Sequence, residues 1–404
     1  MFENSLIAAD QHFAVAAALF AIALFGFWAE KQQWGALVTG AVWSILGAIL
    51  AANLGIIPKD APFYGFVFTY FVPALIPLFL VNANIKRMIV ESGRVGIAFI
   101  LACIGTTIGA ITAVKLLDLG AKEGDLAGIF TATYTGGSVN YAAVIQATGF
   151  DDANIISAAT AVDNLMSAVF LAGLALLPAS KWLMSQYAQQ DHQIASSEAD
   201  SPQNTKPNNA VTGLSIAASL TFALGVVALA DVIVAGLTSL TGMEMGRFRY
   251  IFITVLAILP ATFAPKQTAK MHGAETLGIV FAFVFFAAIC AGADIAKLAN
   301  HAPILLAFVL IILIIHGIVV LGIGSVIAKA ALKLSKQPSK NIFALSLPEL
   351  ITASNAAILG ATTAPALAMA RGWPALATPG VLAGVAGYIV GTPLGLAMAS
   401  LLAN

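Results

Sequence analysis

Three observations predict an all-α polytopic membrane protein of two inverted repeats, each with about five crossings plus one broken or re-entrant segment. The chain falls into twelve apolar segments. The last six repeat the polar landmarks of the first six. Two basic loops share one membrane face only if a segment between them fails to cross.

Composition sets the solvent. The 404 residues are 60% hydrophobic and 9% charged, with a mean hydropathy of +0.93. A soluble domain carries roughly 25% charged residues, so lipid must cover most of this surface and the bilayer is the expected partner. The 19 basic residues balance 19 acidic ones, and no basic surplus invites nucleic acid. Cys103 and Cys290 lie in apolar runs without metal-ligand spacing and read as small buried hydrophobes. Glu3 and Asp10 flank the first run, which therefore reads as a membrane helix rather than a secretion signal.

A spanning helix needs roughly 20 mostly apolar residues. Such segments lie near 9–29, 34–52, 62–82, 94–118, 126–149 and 154–178, then near 209–239, 248–264, 273–292, 302–328, 342–371 and 376–402. The domains are a membrane repeat at 1–180, a polar linker at 181–208 and a second repeat at 209–404. The linker's Gln, Ser, Asp, Asn and Pro cannot bury a core.

The halves match at particular residues. Asn84 and Asp294 close the third and ninth segments in similar contexts, about 210 residues apart. Asn140 and Asn355 lie in the two most polar, broken segments, about 215 apart. Such offsets indicate an internal duplication, and paired broken segments are the sequence pointer to a transport site.

Short cytoplasmic loops are rich in Lys and Arg. Lys86, Arg87 and Arg94 mark one such loop, and Lys329, Lys333, Lys336 and Lys340 another. Seven segments separate them, so one should enter and leave on the same side, and 126–149 is the best candidate. That makes the second half an inverted copy and puts both termini outside. A broken helix that does cross is the rival.

Three constellations carry candidate chemistry. Thr131 to Asn140 holds Thr133, Thr135 and Ser138 around the pair Gly136 and Gly137. Unwinding there frees carbonyls, which with hydroxyls suit an alkali cation, and an N-terminus that suits a carboxylate; tight packing of small residues is the competing reading. Pro348 to Asn355, then Thr362, Thr363 and Pro365, holds Glu349, Thr352 and Ser354. A charge inside an apolar segment costs about 2.5–3.5 kcal/mol on insertion scales, so Glu349 should be protonated, paired or cation-bound, unless it sits at the membrane edge. Asp163 and Asn164 lie mid-segment with no basic residue in that segment; Asp163 suits a group that trades a proton for a cation, or one that caps a broken helix. His316 reads as a hydrogen-bonded core group.

At the two broken segments the sequence resembles a membrane family known as domain of unknown function 819. Tyr134-Thr135-Gly136-Gly137-Ser138-Val139-Asn140-Tyr141 and Leu347-Pro348-Glu349-Leu350 through Asn355 carry the resemblance, which covers nearly the whole chain. That family is grouped with cation/proton antiporters and bile-acid sodium symporters, which implies two inverted repeats whose discontinuous segments meet at an ion site. The Gly136-to-Asn140 run looks like the symporters' glycine pair followed by Ser-Asn, with one extra residue. Glu349 before Ser354 and Asn355 looks like their Glu before Gln-Asn, one residue longer and with Ser for Gln. Asp163-Asn164 resembles the acid/amide pair of the antiporters.

The expectation is therefore an inner-membrane bacterial transporter that symports a small organic anion with Na⁺. Ser138, Asn140, Asp163, Glu349 and Asn355 are the expected cation ligands, with Thr133, Thr135, Gly136, Gly137, Asn164, Thr352 and Ser354 around them. An amino-acid or cell-wall-peptide anion is implied by the family impression alone. The alternative is Na⁺/H⁺ antiport through Asp163. No other cofactor is expected, and related folds are often homodimers. Of other classes, an intramembrane enzyme would need a paired nucleophile and base or a metal cluster, and neither is visible in the sequence; a structural membrane protein would explain the hydrophobicity but not two polar, broken segments in matching places.

Overall fold

The computed structural model describes residues 5–34, 40–192, 210–242, 245–293, 295–334 and 341–403. Asp294, Lys336, Lys340 and the linker beyond residue 192 lie outside the described residues. All regular structure among the described residues is helical. Lipid offers no partner to a strand edge or a loop, whereas a helix satisfies its own backbone.

The first half contributes α1 (His12–Ala29), α2 (Gly40–Asn53), α3 (Pro62–Leu80), α4 (Gly93–Leu116), α5 (Glu123–Gly136), α6 (Ser138–Thr148) and α7 (Ala153–Leu176). The second contributes α8 (Gly213–Thr241), α9 (Arg249–Phe263), α10 (Ala274–Cys290), α11 (Ala302–Leu334), α12 (Leu347–Ile358), α13 (Thr363–Ala370) and α14 (Ala377–Leu401). Helices α1, α3, α4, α7, α8, α11 and α14 are long and apolar enough to cross a membrane, and α2, α9 and α10 are shorter apolar helices. Local signals start several of them: Asp152 caps α7, and Thr212 and Ser346 form capping boxes on α8 and α12.

The fifth segment of each half is a hairpin. Helix α5 stops at Gly137, whose φ of 73° suits glycine, and α6 turns back. Both arms track α14: Gly128 and Val144 meet at Gly395, and Ala132 and Asn140 meet at Gly391. Lys122, before α5, lies over the ring of Phe150, after α6, at 5.3 Å. The segment thus enters and leaves at one end.

The second hairpin, α12–α13, turns around Gly360 at φ 95°. Its arms meet α14 at Gly380, through Thr352 and Ala364, and its tip meets Gly384 through Ala361. His192 ties its mouth together: Nε2 lies 2.8 Å from Ser346 Oγ, and its carbonyl accepts the Ala375 N–H at 3.2 Å. From the sequence, Pro348 and Pro365 are expected to interrupt this segment's helix, but neither sits at the break. Pro348 lies in the first turn of α12 and Pro365 in the first turn of α13, where the missing N–H has no intrahelical partner to lose.

The hairpins therefore approach from opposite ends of α14 and meet near its middle. Glycines 384, 387, 391 and 395 let them come this close. Helices α4–α7 and α11–α14 form one bundle, and α1–α3 with α8–α10 form a second beside it.

Charge separates the two ends of the molecule. Ile85 N donates to Thr262 Oγ1, Arg94 Nε to the Asn341 carbonyl and Lys329 Nζ to Gln186 Oε1, so Lys86, Arg87, Arg94, Lys266 and Lys329 share one end. Asp151 and Asp152 lie at the other, beside Phe150. A single cysteine at Gln190 or Lys266 should be labelled only from the cytoplasmic side, and one at Asp151 only from outside; the reverse pattern would invert the topology.

The α14 track makes a stability prediction. A Cβ at Gly387 would lie 2.4 Å from the Thr135 carbonyl oxygen, whereas one at Gly173 meets nothing within 4 Å. Gly387→Ala should cost about 1–3 kcal/mol, read as a lowered melting temperature in detergent, and Gly173→Ala should leave it near wild type.

Candidate functional site

Where the hairpin tips meet, the two bundles part around a cavity of about 710 Å³. Thr133, Gly137 and Ser138 line it from the first hairpin, and Leu359, Gly360, Thr362 and Thr363 from the second. Phe79, Phe283 and Phe286 face them from the other bundle. The cavity extends to Glu30, Lys31 and Glu275, at the same end as the basic loops.

Two half-helices start at this cavity. The first N–H groups of a helix have no carbonyl one turn back to bond, so α6 at Ser138 and α13 at Thr363 each bring a partial positive charge. Ser138 and Thr362 are exposed to the cavity.

Asp163 lies ten residues into α7, which places it about 15 Å along the helix and near mid-membrane. It is 7% exposed and lines the cavity beside Asn164 and Ser167. Its Oδ1 has no hydrogen-bond partner among the described residues. No Lys or Arg pairs with it among them. The hydroxyls of Tyr134 and Ser167 approach the carboxyl as hydrogen-bond partners, although the Tyr134 hydroxyl makes no bond of full hydrogen-bond geometry. Asn164 Nδ2 donates to the Thr160 carbonyl at 2.8 Å.

Of the twelve residues expected at the site, Thr133, Gly137, Ser138, Asp163 and Asn164 line the cavity. The others support it or lie elsewhere. Asn140 is a staple. Its Nδ2 donates to the carbonyls of Gly136 and Gly387 at 2.8 and 3.2 Å, and its Oδ1 accepts from Thr392 N and Oγ1 at 3.0 and 2.6 Å. That exhausts the amide's capacity. Asn355 plays the same part in the second hairpin: Oδ1 accepts the Thr363 hydroxyl at 2.7 Å, and Nδ2 donates to the Thr363 carbonyl.

Thr135 Oγ1 bonds back to the Thr131 carbonyl, Thr352 Oγ1 to the Pro348 carbonyl, and Gly136 packs on Gly387. Ser354 Oγ lies 2.8 Å from His316 Nε2. Glu349 is not in the cavity. Its Oε2 accepts the Ser346 N–H at 2.7 Å, and its Oε1 lies 3.5 Å from Arg94 Nη1. That pair sits at the mouth of the second hairpin, apart from the residues that line the cavity.

Ser167 and Tyr388 line or flank the cavity without having been singled out. Ser167 was legible, because a polar residue four after Asp163 falls on the same helix face. Tyr388 had no such signal in an aromatic-rich chain. No group of three or more His, Cys, Asp and Glu side chains gathers among the described residues.

Fold and site define a polytopic membrane protein with two opposed broken hairpins around a mid-membrane cavity. The chain belongs to the family described as protein of unknown function DUF819, whose profile matches residues 17–404. It is 30% identical over 383 residues to the uncharacterized membrane protein YjcL of Bacillus subtilis (strain 168), covering 91% of each chain.

These geometries separate the staples from the mouth. Asn140→Ala strands the Gly136 carbonyl at the helix break and removes the acceptor of the Thr392 hydroxyl, and should cost about 1–3 kcal/mol, seen as a fall in melting temperature. Glu349→Gln keeps an acceptor for the Ser346 N–H and should cost visibly less in the same assay.

Proposed function

We propose that the protein is a secondary active transporter that couples movement of Na⁺ to a small organic anion. One observation carries this reading. Two oppositely entering hairpins place their broken tips, two half-helix N-termini and the carboxyl of Asp163, which no Lys or Arg pairs with among the described residues, on one cavity. Broken helices at mid-membrane with N-termini facing the solute and oxygens facing the cation are the recurrent device of secondary transporters.

In this reading Asp163 takes the cation, with hydroxyl and carbonyl oxygen from Thr133, Ser138 and Ser167 beside it. The solute carboxylate faces the starts of α6 and α13. The cavity opens toward the basic end, so the conformation is inward-facing in a bacterial inner membrane. Rigid-body movement of the hairpin bundle against the other would close it. The inverted-repeat reading is supported by antiparallel packing of the matched helices α4 and α11, where Gly105 meets His316 and Gly109 meets Ile312.

A second reading, Na⁺/H⁺ antiport, is favoured by the unpartnered Oδ1 of Asp163. In that case Na⁺ and H⁺ compete for one carboxylate and no organic solute is needed.

Thermal unfolding with Na⁺ against K⁺, at two pH values, for wild type and Asp163→Asn, tests both. A ligand that binds only the folded state at a hundred times its Kd adds about 2.7 kcal/mol. The expected result is a Na⁺-specific rise in melting temperature that Asp163→Asn abolishes and Glu349→Gln retains. Loss of the rise at lower pH would favour antiport. No shift with either ion would refute the sodium assignment.

A further inference from the structure

Thr106 on α4 and His316 on α11 form a hydrogen bond that the transport reading does not use. Thr106 Oγ1 lies 2.9 Å from His316 Nδ1 and donates to the Tyr134 carbonyl at 3.0 Å. On the other side of the ring, His316 Nε2 lies 2.8 Å from Ser354 Oγ. Thr106, His316 and Ser354 are 0%, 0% and 1% exposed.

The chain fixes its own direction. A hydroxyl has one proton, and that of Thr106 goes to Tyr134. Thr106 must then accept from Nδ1–H, which leaves Nε2 of the neutral ring as an acceptor for the Ser354 hydroxyl. Every donor and acceptor in the sequence Ser354, His316, Thr106, Tyr134 is thereby matched.

Its ends are equally placed. Tyr134 lies one turn before the break at Gly137, and Ser354 one turn before the end of α12 at Ile358. In an unbroken helix the Tyr134 carbonyl would accept from residue 138; the break frees it and Thr106 takes it. Thr106 and His316 are 210 residues apart, the offset that relates Asn84 to Asp294. Gly105 admits the contact, since a Cβ there would lie 3.1 Å from His316 Cα.

We propose that His316, held as the Nδ1–H tautomer, is a positioning residue that pins the two hairpin tips to each other at the crossing of α4 and α11. Tyr134 also flanks Asp163. Building on the transport reading, the pin passes a change at the Asp163 site to the second hairpin.

The test has a structural and a coupling arm. In protein labelled with ¹⁵N-histidine, the signal removed by His316→Gln should be the Nδ1–H tautomer. Thr106→Val and Ser354→Ala should each lower the melting temperature, and together by clearly less than the sum, because either one already disconnects the hairpins. An Nε2–H tautomer, or additive losses, overturns the pin. For coupling, Thr362→Cys is labelled from the cavity with and without Na⁺. In an otherwise wild-type chain Na⁺ should change the labelling rate roughly fivefold or more, and in Thr106→Val the change should vanish while Na⁺ still raises the melting temperature. A labelling change that survives Thr106→Val refutes the coupling. If Na⁺ acts on neither readout in wild type, the sodium reading and the coupling built on it fall together, and the tautomer and the double-variant cycle still decide the pin.

Discussion

Where a membrane helix breaks, it releases carbonyls and N–H groups that lipid cannot bond, and each must find a partner inside the protein. The rest of this structure follows from that constraint. At the first break the Gly136 carbonyl is taken by Asn140 and the Tyr134 carbonyl by Thr106. At the second, Asn355 and Thr363 bond each other across the turn. Such bonds need the hairpins to lie against other helices rather than lipid, and the glycine track of α14 provides the close approach. Burial of the breaks dictates the two-bundle plan: one bundle wraps the hairpins, and the other faces their tips across the cavity.

Not every released group is matched. The starts of α6 and α13 keep N–H groups directed at the cavity because no earlier turn exists to accept them. Asp163 keeps an oxygen without a partner. An anionic acid near two positive half-dipoles is favoured by them and yet remains open to a cation or a proton. The same cavity therefore attracts opposite charges at different points, which is the arrangement a coupled pair of cation and anionic solute requires. In the proposed reading, the aromatic wall of Phe79, Phe283 and Phe286 would give that solute an apolar side.

Much of this was legible in the sequence, for identifiable reasons. Loop charges and the count of apolar segments required one segment not to cross, and the Gly136–Gly137 pair located its turn. Burial of Asp163 followed from its place in an apolar run. The second hairpin was harder. Pro348 and Pro365 looked like interruptions, but proline in a helix's first turn begins it, and the turn belongs to Gly360. Glu349 looked like an ion ligand because sequence shows a charge in an apolar stretch and not the Arg94 that lies 255 positions earlier in the chain and beside it in the fold. Nor can a sequence show that Ser354 faces His316 rather than the cavity.

Asn140 and Asp163 show why polarity alone misleads in such a chain. Both are buried, both are mid-membrane, and both read as ligands. An amide offers two donors and an acceptor, so Asn140 can bridge two carbonyls and still receive Thr392; an ionised carboxylate offers no donor and cannot hold a freed carbonyl at all. The amide is thus suited to closing a break and the acid to staying open beside one. In a membrane interior, where water cannot satisfy what the protein leaves unmatched, the residue that can act on a ligand is the one whose hydrogen-bonding capacity the fold has not already filled. Among the described residues, Asp163 lines the cavity with no Lys or Arg beside it and with the hydroxyls of Tyr134 and Ser167 as its neighbours, and on that ground the proposed reading gives it the cation.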